Sequence, residues 1–336
     1  MKKTDVNLES SWLITGGCGF IGINLIDHIL KENNSANIRV LDNLSVGTKE
    51  DLKQVCDFKE VAYEKLTNKP SGVELVVSDI KDFEACLASC RGIDAVVHLA
   101  ANTGVAPSVE DPRRDMEANI IGTFNMLEAS RQNGVEQFIF ASSGAPIGEV
   151  EPPIHEEKAP RPVSPYGASK LAGEGYCSAY FRTFGLKTVS LRFGNAYGPR
   201  SKHKSSVVAK FFKQALKGEP LEIYGDGSQT RDFLYIDDLI SAIMLSVKAS
   251  VGGEVFQIAT YKETTVNEIA FEIKRIVENN TGEKVNIAFD SPRQGDVRRN
   301  FSDISKARKL LGYEPMINLN YGLGRTFEYF RRHIEG

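Results

Sequence analysis

A buried strand, a glycine-rich turn and an amphipathic helix succeed one another near the start of this chain. Trp12-Leu13-Ile14-Thr15 is a short apolar run of strand length, and Gly16-Gly17-Cys18-Gly19-Phe20-Ile21-Gly22 follows at once. Leu25, Ile26, Ile29 and Leu30 then recur at helical spacing. Gly17-x-Gly19-x-x-Gly22 in that setting is the dinucleotide fingerprint: its glycines permit a tight turn and bring backbone N–H groups close to a pyrophosphate at the helix N-terminus. A second strand, Ile38-Arg39-Val40-Leu41, ends in Asp42. A carboxylate there accepts hydrogen bonds from a ribose diol and repels a 2′-phosphate, which predicts NAD rather than NADP. Alternation along the strand turns Arg39 away from the ribose side.

Runs that read as buried on both faces recur at Val73–Val77, Ala95–Leu99, Gln137–Ala141 and Thr188–Leu191. Helical patterns separate them at Phe83–Cys90, Arg114–Gln132 and Tyr166–Phe184, and a long polar connection joins Asp42 to about Ser71. This alternation predicts an α/β fold, a Rossmann-type doubly wound parallel sheet with ligands at the carboxyl ends of its strands. Beyond Arg192 the texture changes to helices at Val207–Lys217, Asp237–Lys248, Thr265–Glu278, Ser305–Leu311 and Tyr321–His333, with short β pieces at Leu221–Tyr224 and Val255–Ile258. The expected division is a dinucleotide-binding domain over 1–192 and a smaller α/β substrate-binding lobe over 193–336, partly interleaved with the sheet.

A second constellation lies in Ser164-Pro165-Tyr166-Gly167-Ala168-Ser169-Lys170. Tyr166 and Lys170 stand one helical turn apart on one face, with Ser142-Ser143 upstream at the end of a strand. A phenol is a poor base at neutral pH, but a neighbouring ammonium and an oxidised nicotinamide both favour the phenolate. A tyrosine and a lysine on the wet side of an ordinary helix would look the same in isolation. Combined with the fingerprint and the serine, they read as machinery for taking a proton from an alcohol while its carbon loses hydride.

Composition narrows the classes. With 41 lysines and arginines against 44 acids in 336 residues, the net charge of −3 gives no footprint for nucleic acid or a membrane surface. The apolar runs are strand-sized and the first residues are polar, so neither a membrane span nor a signal peptide is expected. The five cysteines are odd in number, and Cys86 and Cys90 lack a partner pair at zinc spacing. The expectation is a cytoplasmic enzyme with structural thiols and no metal.

Six segments in order carry a family resemblance. They are Thr15 through Gly22, His98-Leu99-Ala100-Ala101, Asn119-Ile120-Ile121-Gly122-Thr123, Tyr166-Gly167-Ala168-Ser169-Lys170, Arg192-Phe193-Gly194-Asn195-Ala196-Tyr197-Gly198-Pro199-Arg200 and Gly225 through Phe233. From about Trp12 onward the chain resembles the extended short-chain dehydrogenase/reductases, specifically the NAD-dependent nucleotide-sugar epimerases and dehydratases. The resemblance implies that Gly16, Gly19, Phe20, Ile21 and Gly22 line the pyrophosphate. It implies that Asp42 with Asn43 holds the adenosine ribose, Asp79 and Ile80 flank the adenine, and Leu99, Ala100 and Ala101 lie along the cofactor. Ser143, Tyr166 and Lys170 would be catalytic, with Tyr166 and Lys170 also facing the nicotinamide ribose and Ser142 beside the substrate. Asn195, Arg231 and Arg293 match positions that contact the nucleotide diphosphate, and Leu221, Ile223 and Tyr224 lie in a segment resembling one that grips uracil. The two helical stretches Arg114–Gln132 and Tyr166–Phe184 match those that pair relatives into a four-helix bundle, with Ile120, Phe124, Leu127, Tyr176 and Phe184 as apolar candidates for a homodimer.

The chain also departs from the pattern. Ser142-Ser143-Gly144-Ala145-Pro146-Ile147-Gly148 lacks the Asp-Glu pair of the family's dehydratases and the glutamate of its decarboxylating members. That leaves 4-epimerisation of a UDP-sugar as the leading expectation. A 5-epimerase, reductase or dehydratase using the same transient oxidation is the alternative, and a non-catalytic NAD sensor is less favoured because Ser143, Tyr166 and Lys170 are all present. Asn300 aligns with a residue that gates the sugar 2-substituent. Being smaller than tyrosine and able to bond an amide, it points toward UDP-N-acetylhexosamines.

Overall fold

The computed structural model describes residues 10–292 and 297–334. The first half builds β1 (Ser11–Thr15), α1 (Phe20–Glu32), β2 (Asn37–Asp42), α2 (Lys49–Lys53), β3 (Lys59–Glu60), β4 (Val73–Val77), α3 (Phe83–Ser89) and β5 (Ala95–His98). Helices α4 (Val105–Glu110), α5 (Pro112–Met116) and α6 (Gly122–Gln132) precede β6 (Gln137–Ser143), α7 (Pro165–Phe184) and β7 (Lys187–Phe193). The remainder adds β8 (Asn195–Tyr197), α8 (Val207–Leu216), β9 (Leu221–Tyr224), β10 (Thr230–Arg231), β11 (Phe233–Tyr235), α9 (Ile236–Lys248), β12 (Glu254–Ile258), β13 (Thr264–Thr265), α10 (Val266–Thr281), β14 (Ile287–Asp290), α11 (Ser305–Leu311) and α12 (Leu319–Ile334).

Among the described residues, an eight-stranded sheet runs in the order β12-β7-β6-β5-β1-β2-β4-β3, and every pairing in it is parallel. The winding reverses between β1 and β5, which opens a crevice beyond their carboxyl ends. Strand alternation sends Trp12 and Ile14 to one face and Leu13 to the other, where separate buried clusters form. The cluster holding Leu13 packs Phe138 and Phe140 against Met126 and Cys177. The cluster holding Trp12 continues through α9 and α8 to Phe212, Phe327 and Phe330 in the second half. The edge strand β12 is also drawn from beyond residue 192.

The stretch expected as one helix over Arg114–Gln132 is interrupted. A π-helical turn, Glu117–Ile121, separates α5 from α6. Local β pairs β8·β11, β10·β13 and β9·β14 lie outside the main sheet and shape the second half.

Candidate active site

Main-chain packing forms the dinucleotide end of the crevice. Gly16 has φ +67°, and a Cβ there would meet the Ala100 nitrogen at 2.8 Å. A Cβ on Gly22 would fall 2.5 Å from the Gly17 Cα, so α1 closes directly on the turn. The N-cap of α1 is Gly19, which has no side chain to bond the first N–H groups, and no acid occupies the first turn. Uncapped donors and an uncompensated dipole make this end fit for a pyrophosphate.

Asp42 ends β2 beside that turn. Its Oδ2 accepts from the Cys18 N–H (2.9 Å) and its Oδ1 from the Leu44 N–H (2.8 Å). Burial pushes its pKa up, and those two hydrogen bonds pull the other way. Arg39 is engaged elsewhere: fully buried, it pairs with Glu74 (3.1 Å) and donates to the carbonyls of Ser89, Arg91 and Thr67. Asn43 donates to Asp79 (3.0 Å), and Asn125 of α6 donates to the carbonyls of Ile80 and Lys81. A Cβ at Gly122 would lie 2.4 Å from Ile80 Cδ1, so the absence of a side chain there seats the 79–81 segment. Leu99, Ala100 and Ala101 follow β5, and the Ala100 N–H donates to Thr15 Oγ1 (3.2 Å).

Across the switch point, β6 delivers Ser142 and Ser143 while α7 delivers Tyr166 and Lys170. Ser164 caps α7 by accepting from the Gly167 N–H (3.1 Å), and Pro165 occupies its first turn. Ser143 Oγ accepts from the Ala145 N–H (3.2 Å), and the Ser143 side chain lies near enough to the Tyr166 phenol to pull its pKa down. Lys170 is buried, donates to the Ala141 carbonyl (2.8 Å), and lies 4.9 Å from the centre of the Phe140 ring and 5.9 Å from that of Tyr166. Burial pushes the phenol up to about 12 against the Ser143 hydrogen bond, and the Asp115 charge adds to the rise. Burial pushes Lys170 down to about 8, opposed by the charges of Asp115, Cys177 and Glu174. The expected lowering of Tyr166 by Lys170 is thus outweighed within the chain itself. The ammonium is turned to a backbone carbonyl, and burial costs the phenolate more than Ser143 returns.

Of the buried polar residues behind these groups, the sequence leaves Glu174 unmarked and gives Asn119 only within a matching segment, without a role. Glu174, one turn beyond Lys170, accepts from Ser142 Oγ (2.5 Å) and from Arg192 Nε (2.8 Å) and Nη2 (2.6 Å). This buried pair fixes the end of β6 next to Ser143. In the π turn, Asn119 accepts from the Asn102 N–H (2.8 Å) and directs its amide toward the Asn102 carbonyl, Asp115 and Ser169. Such turns widen a helix locally and are frequent at functional sites.

The second half carries the remaining candidates. Asn195 is exposed at the start of β8, with its N–H bonded to the Asp232 carbonyl (2.8 Å). Leu221 and Ile223 turn their side chains fully into the core, so a ligand at β9 could meet only main chain or the outward residues. Tyr224 points outward, its hydroxyl donating to Glu222 (2.7 Å). Arg231 donates to the carbonyls of Thr230 and Val297 (both 2.6 Å), and the Asn300 N–H to Thr230 Oγ1 (3.4 Å). Arg293 lies outside the described residues. The bridge Ile154–Ser302 brings the Asn300 segment against the loop that leads from Ser143 into α7. Among the described residues no group of three His, Cys, Asp or Glu could hold a metal, and no helix is long and apolar enough to cross a membrane.

Comparisons agree with this geometry. The family described as NAD dependent epimerase/dehydratase matches residues 12–259. A putative UDP-glucose 4-epimerase of Methanocaldococcus jannaschii is 34% identical over 326 residues, covering 96% of this chain and 98% of the relative. The crystal structure of a UDP-glucose 4-epimerase with UDP-glucose from Thermotoga maritima superposes with a TM-score of 0.84 at 37% identity, over 96% of this chain and 99% of that one. A UDP-N-acetylglucosamine 4-epimerase from Methanobrevibacter ruminantium, in complex with UDP-N-acetylmuramic acid, gives 0.85 at 29% identity over 96% and 98%. The chain belongs to the NAD-dependent epimerase/dehydratase family, and it is an epimerase with NAD as its cofactor.

Proposed function

We propose that the protein is a UDP-sugar 4-epimerase that admits 2-acetamido hexoses. The observation that carries this is Tyr166 beside buried Lys170, 5.9 Å from ring centre to ammonium, with Ser143 acting on the phenol from the end of a strand followed by Gly144 and Ala145 rather than by acids. Bound NAD supplies the reversible acceptor for the C4 hydride. Tyr166 Oη takes the proton of the sugar 4-hydroxyl and later gives it back, a contribution of about 10²–10⁴-fold for a positioned general base. Ser143 Oγ shares that proton and orients the phenol. Lys170, held by the Ala141 carbonyl, keeps positive charge near the phenolate as it forms. Inversion at C4 needs a sugar free to turn and a nucleotide held still, roles assigned to the main chain of β9, Tyr224, Asn195, Arg231 and Arg293. Elimination across C5 and C6 would need a carboxylate where Gly144 and Ala145 stand.

Asn300, half-buried on the segment that meets the Ser143 loop, is assigned to the sugar 2-substituent. The exposed aromatic residues Phe124 of α6 and Tyr176 and Phe184 of α7 are assigned to a two-fold homodimer. Five unpaired thiols suit a reducing cytoplasm. The test is to incubate the protein with UDP-glucose, UDP-galactose, UDP-N-acetylglucosamine and UDP-N-acetylgalactosamine in D₂O and read the products by NMR. Interconversion at C4 without deuterium at C5 is expected. Deuterium at C5, or a 4-keto-6-deoxy product, would replace this reading with 5-epimerisation or dehydration.

A further inference from the structure

Between β8 and α8 the chain crosses the first half of the molecule as a strap, fastened at successive residues. The Pro199 carbonyl accepts from Asn24 (3.2 Å), and Arg200, at φ +67°, pairs with Asp27 (2.9 Å). Lys202 and His203 both meet the carboxylate of Asp51, at 2.5 and 2.8 Å. Each basic side chain so far meets an acid. Lys204 breaks the series. Its ammonium donates to the Ala196 carbonyl (2.9 Å) and lies 4.8 Å from the centre of the Phe20 ring. Among the described residues no carboxylate pairs with it, and burial alone pushes its pKa down to about 8.

That location has a chemical meaning. Phe20 opens α1, whose N-terminus is uncapped, and Ala196 follows Asn195 in β8, so the ammonium stands between an element of each half. A half-buried ammonium without a counter-charge is costly, and it is retained most readily where an anion completes it. We propose that Lys204 is a recognition residue for a diphosphate, its ammonium bonding phosphate oxygens at the seam between the two halves. The proposal rests on the reading of the protein as a UDP-sugar epimerase. Two molecules bring that chemistry to the seam, the nucleotide sugar and the dinucleotide.

The experiment titrates UDP and uridine into Lys204→Gln, Lys204→Arg and wild-type protein by calorimetry, and measures NAD released from each on denaturation. A charge-assisted hydrogen bond predicts that Lys204→Gln weakens UDP about 10-fold or more while uridine is unaffected, with Lys204→Arg close to wild type. If the partner is the dinucleotide, Lys204→Gln instead loses NAD while UDP affinity holds, and Lys204→Arg retains NAD. Unchanged UDP affinity and NAD content in Lys204→Gln would overturn the proposal. So would an equal loss of UDP and uridine, or identical behaviour of the glutamine and arginine variants. Wild-type protein that ignores UDP would refute the UDP-sugar reading, and the NAD measurement would then decide the lysine alone.

Discussion

Tyr166 and Lys170 show what it costs a fold to bury its own chemistry. Burial raises the phenol to about 12 and depresses the lysine to about 8, so both shifts work against the charged forms that the chemistry calls on. Tyr166→Phe should keep NAD and lose activity by about 10²-fold or more, since the proton acceptor is gone. Turnover near wild type in a coupled epimerase assay would remove Tyr166 from the mechanism. Lys170→Met should be inactive yet more stable than wild type at pH 7. The sign follows from linkage: with the folded pKa below the unfolded one, the unfolded chain binds more protons between them, so wild-type stability rises as pH climbs from about 8 toward 10.5. The advantage of Lys170→Met should therefore shrink across that window in chemical denaturation, and a constant gap would show that burial of the charge is not its source. Asn300→Tyr belongs at the same scale. It should lower kcat/KM for the N-acetylated UDP-hexoses relative to UDP-glucose and UDP-galactose, and an unchanged ratio would take Asn300 out of the sugar pocket.

At the scale of elements, α7 joins catalysis to the sheet through a residue with no side chain. A Cβ on Gly173 would come within 2.4 Å of Phe140 Cζ, the ring that also lies under Lys170. Gly173→Ala should thus destabilise the fold by about 1–3 kcal/mol by overpacking and lower kcat along with it. A thermal scan indistinguishable from wild type would show that β6 and α7 are less tightly coupled. Much of this layer was legible in advance. β1, β2, β4, β5, β6 and β7 read as strands because runs rich in apolar residues lie buried between layers, and the Gly16–Gly22 turn and the Tyr166–Lys170 pair are local in sequence. The π turn was not legible, because apolar periodicity passes smoothly through Glu117–Ile121 and the extra residue leaves no compositional mark. Strands such as β8, β10 and β13 are too short to establish a period. Glu174 and Lys204 matter through partners distant in the chain, so only the folded molecule reveals them, and the role of Asn119, visible in the sequence only as part of a matching segment, emerges the same way. Leu127 shows the converse error: it fits the apolar stripe expected to pair subunits, yet it lies wholly in the core, and the exposed apolar set is Met116, Ile121, Phe124, Tyr176 and Phe184.

For the whole molecule, that exposed set should be covered in solution by a second copy. Light scattering at micromolar concentration should give a dimer, and Phe124→Glu together with Tyr176→Glu should give a folded monomer. A wild-type monomer would leave the aromatic face without its assigned partner. The parallel sheet carries a different consequence, for how the protein is made. β12 covers the open side of β7, and it is synthesised well after every other strand of that sheet. While the ribosome is still adding the intervening residues, β7 presents unpaired N–H and C=O groups along its free side, a template for any other extended chain. The nascent enzyme therefore passes through an adhesive stage that ends only when Glu254–Ile258 emerges and docks. Fragments that stop short of that strand should aggregate or occupy chaperones, however complete their dinucleotide-binding turn.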